Sequence, residues 1–147
     1  MERIGPGDLV PDDAVVLDRE GRARPLRALL GRSGMLLYFM RSGGCVICQA
    51  HVRQLAADRA QLERDGRVVA ALVPDTPASA ALTAKQIGSE LPIYAAPELY
   101  VALGYRRVLF GGIQQSGTVT IDRDARILSV HRASLPLNAL DRTALHA

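Results

Sequence analysis

The sequence is short of the residues that small extracellular or metal-binding chains rely on. It holds two cysteines, Cys45 and Cys48, in 147 residues. A bridge between positions three apart closes too small a loop to contribute much chain entropy, which excludes the disulfide framework of a small secreted domain. A zinc site on the same pair needs two further ligands at tetrahedral geometry. His51, His131 and His146 are the only histidines, and there is no second cysteine pair. Neither a metal nor a bound cofactor is expected. Lysine is almost missing too: Lys85 is the only one among 18 basic residues, which face 15 acidic ones with the two signs interspersed. With no basic block and no stripe of aromatics, nucleic-acid binding is not expected. The apolar runs fall well short of the roughly 20 residues that cross a bilayer, and MERIGPGDLVPDD at the start has no signal-peptide pattern. The expectation is a cytoplasmic protein that works away from membranes.

What is present describes a globular chain. Hydrophobic residues make up 48% and charged residues 22%, and the length suits one well-filled core, so residues 1–147 are expected to form a single domain. The segment through Pro11 is rich in Gly and Pro and reads as an extended lead-in. Ala14 to Asp18 is a short strand candidate, Arg19-Glu20-Gly21 a turn, Arg22 to Arg24 a hairpin return, and Pro25 to Gly31 about one helical turn.

Met35 to Met40 is apolar without alternation, the pattern of a strand covered on both faces. An amphipathic helix follows, with Cys48, Val52, Leu55, Ala56 and Leu62 on one side and Gly66 as its stop. Arg67 to Val73 is a second buried strand. Strand, helix and strand in that order imply a right-handed crossover between parallel neighbours. Thr76-Pro77 opens a helix running to Ile87 and stopped by Gly88. Leu91 to Tyr94 reads as extended, Pro97 to Leu103 as a short helix, and Tyr105 to Ser116 as a long loop. Thr118 to Asp122 and Arg126 to Arg132 form an antiparallel hairpin, and Ser134 to Ala147 a terminal helix. The sum is an α/β fold, a central mixed sheet with helices on both faces.

The chemistry concentrates at Cys45-Val46-Ile47-Cys48, where a buried strand turns into a helix. A cysteine at a helix N-terminus meets unpaired backbone N–H groups and the positive end of the helix dipole, which favour thiolate. A second cysteine three residues on lies on the same side of the first turn and can resolve a mixed disulfide formed at the first. Arg41 is a candidate for added positive charge, although a solvated loop arginine explains it equally well. Gly43-Gly44 would let a partner's backbone approach, or else only make the turn. His51, one turn after Cys48, is a candidate to tune the thiols or accept a proton, but a histidine among arginines is more often simply solvated. Asp75 is best read as a helix cap.

With these elements in place, the chain resembles the thioredoxin-like superfamily, and within it the peroxiredoxin-like or redoxin branch of alkyl hydroperoxide reductase/thiol-specific antioxidant proteins. Gly7-Asp8, Pro11-Asp12, Leu17-Asp18, Gly21 and Leu26 resemble the opening segment of that branch, and Gly117 to Asp122 resembles its penultimate strand. The resemblance implies a thioredoxin-like three-layer sandwich. Peroxiredoxins carry a proline, then a threonine, then the peroxidatic cysteine where this chain has Arg41, Cys45 and Cys48, and an arginine where it has Ser116. Thioredoxins keep two cysteines in this register, with a preceding tryptophan and a cis-proline where this chain has no tryptophan and Gly117.

Two enzymatic readings follow. In the first, Cys45 attacks a disulfide-containing protein and Cys48 resolves, as in a thiol-disulfide oxidoreductase. In the second, a thiol peroxidase, Cys48 takes the peroxide and Cys45 resolves. Either needs thioredoxin or a small thiol as reductant. A third reading is a non-enzymatic redox sensor. The loop around Phe110 is a candidate pairing surface for a homodimer.

Overall fold

The computed structural model describes residues 1–108 and 110–145. The first strands, β1 (Val15–Leu17) and β2 (Ala23–Pro25), form an antiparallel hairpin. Its turn is built by Asp18, whose carboxylate accepts the backbone N–H groups of Glu20 and Arg22, while Gly21 takes φ +82°. A single 3₁₀ turn over Leu26–Leu29 leads to β3 (Met35–Phe39). Then come α1 (Val46–Ala57), α2 (Arg59–Leu62) and β4 (Val68–Val73). Next are α3 (Pro77–Ile87), β5 (Ile93–Ala95) and α4 (Pro97–Ala102). The remaining strands are β6 (Arg107–Val108), β7 (Ile113–Gln114), β8 (Ser116–Ile121) and β9 (Ile127–Ala133). A 3₁₀ turn at Pro136–Asn138 precedes α5 (Arg142–Leu145).

Seven strands make one mixed sheet in the order β2-β1-β5-β4-β3-β8-β9, while β6 and β7 pair apart from it. Strand β3 runs parallel to β4 and antiparallel to β8, so it is hydrogen-bonded on both edges. Both of its faces are buried as well. Met35, Leu37 and Phe39 point into a cluster with Leu99, Tyr100 and Tyr105, while Leu36, Tyr38 and Met40 pack with Cys48, Val52 and Leu55 of α1. This double burial removes any selection for a polar alternate residue and explains the unbroken apolar run. Strand β4 repeats the division, with Ala70 and Leu72 on the first side and Val69, Ala71 and Val73 on the second. Helices α1 and α3 cover the second face and α4 the first, giving the α/β sandwich expected of a thioredoxin-like chain. Among the described residues, no helix is long and apolar enough to cross a membrane.

Three segments depart from the expected outline. The helix after the cysteines is not continuous to Gly66. It breaks at Asp58, whose φ of −93° and ψ of 4° separate α1 from α2, and Gly66 sits at φ +92° in the turn before β4. The expected loop from Tyr105 to Ser116 contains the β6–β7 hairpin, with Phe110 and Gly111 both left-handed at its tip. Strands of two residues are too short to show any periodicity. The expected terminal helix from Ser134 is reduced to the turn and the four residues of α5. Pro136 holds Leu135 extended. Thr118 then interrupts the helical ladder: its Oγ1 donates to the carbonyl of Ala139 at 2.8 Å and accepts from the N–H of Asp141 at 3.0 Å. His146 and Ala147, the end of that expected helix, lie outside the described residues, as does Leu109 of the expected loop.

Candidate active site

The sheet sets the site by ending β3 at Phe39 and turning the chain onto its α1 face. Tyr100 fixes this corner from the opposite face. Its buried hydroxyl lies 2.7 Å from the carbonyl oxygens of both Met40 and Leu72, at the ends of β3 and β4. Replacing Tyr100 by phenylalanine keeps the ring and removes that shared donor. The expected cost is about 1–3 kcal/mol, read from the urea unfolding midpoint.

The turn that follows is packed against α3. Gly43 lies so close to Ser79 and Thr83 that a Cβ there would overlap both hydroxyls, whereas a Cβ on Gly44 would meet nothing within 4 Å. Of the two glycines, Gly43 is the one the turn requires. Gly44 is exposed and open, leaving its backbone approachable. Gln49 locks the same turn, its Nε2 donating to the Gly43 carbonyl at 2.7 Å and to Oε1 of Gln86 at 2.9 Å. Nothing in the sequence singles out Gln49, because a polar residue one position after a cysteine gives no sign of facing inward.

Cys45 is the N-cap of α1, with φ −67° and ψ 114°, and its Sγ accepts the backbone N–H of Cys48 at 3.3 Å. The sulfur thus stands where the helix offers its unpaired donors. Cys48 lies inside the first turn, with no solvent exposure against 4% for Cys45, and its Sγ accepts the N–H of Arg41 at 3.3 Å. Both thiols are free. Burial, reinforced by the thiol of Cys45, pushes the Cys48 thiol up to about 12. Both sulfurs are buried, and they differ in place: Cys45 caps the helix terminus and Cys48 lies within the first turn.

The supporting candidates divide. Arg41 reaches Cys48 through its backbone N–H, not its guanidinium. Its half-buried side chain lines a cavity of about 420 Å³ beside the dithiol turn, with Ser42, Asp75, Arg107 and Gln114. Asp75 is not the cap of α3. Its carboxylate takes the N–H of Thr76, and the Thr76 hydroxyl caps the helix by accepting the N–H of Ser79.

His51 is not solvated, contrary to the expectation for a histidine among arginines. It is 6% exposed, on the inner side of α1, with Nδ1 at 2.7 Å from the hydroxyl of Tyr38. Burial and then the nearby Arg142 hold its pKa below the usual value. Tyr38 is a site residue that the sequence reading passes over as strand core. Its position, one residue before Phe39 on β3, puts it on the dithiol face, in one buried cluster with Cys45 and Cys48.

Ser116 and Gly117 part by the period of two. The strand register pairs Phe39 with Gly117 and Tyr38 with Thr118, so Gly117 belongs to the face away from the cysteines. A Cβ at Gly117 would overlap the His131 carbonyl, and it would come within 2.7 Å of the Tyr105 hydroxyl that donates to that carbonyl. Gly117 is a packing residue and does not sit against the dithiol. Ser116 lies on the dithiol face by the same alternation. It is 1% exposed, and its Oγ is the one buried side-chain polar atom without a partner among the described residues. No cluster of three His, Cys, Asp or Glu that could hold a metal ion occurs among the described residues.

A mixed sheet with the β3-α1-β4 crossover and two free cysteines opening α1 defines a thioredoxin-like protein with a dithiol at the strand-to-helix corner. The pattern of the AhpC/TSA family matches residues 6–130, and the chain belongs to that family, the peroxiredoxin-like branch of the superfamily. Solved structures agree with the fold. Peroxidoxin BcpB from Mycobacterium tuberculosis is 23% identical at a TM-score of 0.73, with 93% of this chain and 91% of that one covered. Reduced Prx3 from Vibrio vulnificus is 17% identical at 0.81, with 97% of each chain covered. A peroxiredoxin-like protein from Aquifex aeolicus is 14% identical at 0.75, with 99% of this chain and 85% of that one covered. No curated protein matches the sequence.

Proposed function

We propose that the protein is a thiol peroxidase whose working unit is the Cys45–Cys48 dithiol, with Cys45 attacking and Cys48 resolving. The observation that carries this reading is the place of the pair at the start of α1 in a chain of the AhpC/TSA family: Cys45 caps the helix, and Cys48, buried like it, lies inside the first turn. The thiolate of Cys45 cleaves the O–O bond of a peroxide, releasing an alcohol or water and leaving a sulfenic acid. Cys48 then displaces water from that sulfur and closes the disulfide. Thioredoxin or a small thiol restores the dithiol, and a cytoplasmic location, where such reductants are held reduced, is part of this proposal. These roles reverse the expectation that the peroxidatic sulfur is Cys48, because Cys45 stands at the unpaired donors of the helix terminus while burial raises the Cys48 thiol well above its usual range. A Cys48→Ser variant given one equivalent of hydrogen peroxide is expected to hold a sulfenate on Cys45, captured by dimedone and located by mass. Peroxide loss no faster than with free cysteine would sink the reading, and a sulfenate formed only on Cys48 in Cys45→Ser would exchange the roles.

Reduction of protein disulfides by the same pair is a second reading, favoured by the surface around Cys45. Val46 and Ile47, between the cysteines, are 78% and 40% exposed. They form an apolar rim that a macromolecular disulfide can cover and a peroxide has no use for. Turnover of a protein disulfide faster than of hydrogen peroxide, at equal concentrations, selects this reading.

A further inference from the structure

We propose that the cavity beside the dithiol turn binds the reductant, a small thiol bearing carboxylates and one ammonium group, with Arg41 and Arg107 holding the carboxylates and Asp75 the ammonium. The inference rests on the dithiol cycle just proposed and names the chemical class of the thiol that restores the pair.

The cavity meets the dithiol through its own wall. Arg41 donates its backbone N–H to the Cys48 sulfur, and the Ser42 carbonyl accepts the N–H of Cys45, both at 3.3 Å. Arg41 and Ser42 both line the cavity, so a molecule held there lies against the backbone that carries the two sulfurs. Asp75 comes from the turn between β4 and α3, while Arg107 and Gln114 pair across the β6–β7 hairpin. That hairpin adds nothing to the seven-stranded sheet. Its base is held by the N–H of Gln115 on the Arg106 carbonyl at 2.8 Å and the N–H of Arg106 on Oε1 of Gln115 at 3.0 Å. What the hairpin does bring to the rest of the molecule is one wall of this cavity.

The charges in the wall are uncommitted. Two guanidinium groups, protonated at any physiological pH, face one carboxylate, which leaves one net positive charge. Among the described residues, none of the three makes an ion pair, with each other or with a neighbour. Arg107 engages only its Nε, on the Gly111 carbonyl at 2.9 Å, and Asp75 one oxygen, on the N–H of Thr76 at 2.9 Å. The terminal amino groups of Arg107 are the fork that matches a carboxylate. Opposite charges that share a cavity without pairing suit a zwitterion with a carboxylate in excess. The volume, about 420 Å³, is that of a small-molecule site. Pro74 alone among the lining residues has an apolar side chain, so the wall offers little to a lipid-like hydroperoxide, and hydrogen peroxide needs no such anchor.

The step balances. The thiolate of the bound molecule attacks the Cys45 sulfur, the Cys45–Cys48 bond breaks, and Cys48 leaves with the electron pair and takes up a proton. A second thiolate attacks the sulfur of the first molecule, and Cys45 departs as thiolate. Two small thiols are oxidised to one disulfide while the protein disulfide is reduced to two thiols. Of the two protons given up, one ends on Cys48 and the other on Cys45 or in solvent.

Diamide closes the Cys45–Cys48 bridge without any peroxide step, and quenching with N-ethylmaleimide followed by mass measurement counts reduced cysteines against time. Glutathione, with two carboxylates and one ammonium, is expected to reduce the wild-type bridge about a hundredfold faster than glutathione diethyl ester, which carries the same thiol with both carboxylates masked. Arg107→Met is expected to bring that ratio to about tenfold, and Arg41→Met with Arg107→Met to about one. Each ratio is internal to one protein, so a general change in folding or thiol reactivity cancels. Asp75→Asn is expected to slow glutathione about fivefold relative to mercaptosuccinate, which has two carboxylates and no ammonium. A wild-type ratio near one, or a ratio that survives in the double variant, overturns the anchor. Peroxide loss is followed separately on the reduced protein. No peroxide loss with the ratio intact would end the peroxidase reading and uphold the anchor, whereas rapid peroxide loss with a ratio of one ends the anchor alone.

Discussion

Cys45→Ser is expected to remove turnover on any substrate by at least about a thousandfold, because it takes away the attacking atom and leaves Cys48 no partner with which to close a disulfide. Serine preserves the capping geometry, since its Oγ can accept the Cys48 N–H as the sulfur does. The loss is therefore chemical and should come with an unchanged unfolding midpoint. Cys48→Ser should behave differently: steady-state turnover falls, yet one round of attack proceeds at nearly the wild-type rate. The asymmetry follows from placement, one sulfur capping the helix terminus and the other inside its first turn. Steady-state assays with a thioredoxin-coupled reductant, beside single-turnover measurement on the same variants, test it. Equal loss of the first round in both variants would mean that the sulfurs are not divided by role.

Gly117→Ala is expected to destabilise the fold by about 3 kcal/mol without touching the dithiol. The added methyl would overlap the His131 carbonyl on β9 and crowd the Tyr105 hydroxyl. Strand β8 must then part from β9 or the Tyr105 hydrogen bond to His131 must break. Phe39 is stacked on Tyr105 with ring centres 4.6 Å apart, so the disturbance reaches the central strand. Gly44→Ala is the control, open on all sides in the same fold and expected to change stability by less than about 0.5 kcal/mol. Urea titration of both variants measures the difference. A Gly117→Ala midpoint equal to that of Gly44→Ala would show that β9 yields freely.

The sheet centre was legible because double burial writes itself as an apolar run, and Met35–Phe39 and Val68–Val73 are such runs. The cap at Thr76 and the turn at Gly21 were legible because each follows from the local chemistry of one or two residues. The cysteines were legible by spacing alone. What stayed hidden depends on partners distant in sequence. Asp58 interrupts a helix whose periodicity continues past it, and Thr118 ends another from 21 residues away. The same reason hid the Tyr38–His51 bond and misdirected Gly117. A strand residue's face is set by register, and register between β3 and β8 is fixed only in the folded sheet.

The turn from β3 into α1 ends two of its backbone hydrogen bonds on sulfur, Arg41 on Cys48 and Cys48 on Cys45. A disulfide sulfur is a poorer acceptor than a thiol or thiolate, so closing the bridge loosens the order that the reduced pair imposes on this turn. Linkage makes the effect reciprocal. Whatever orders the turn, whether a docked substrate or the packing of Gly43 against α3, favours the reduced pair and raises its reduction potential. The redox poise of the dithiol is thus set partly by the backbone that carries it, and a partner that grips that backbone changes how strongly the pair pulls electrons.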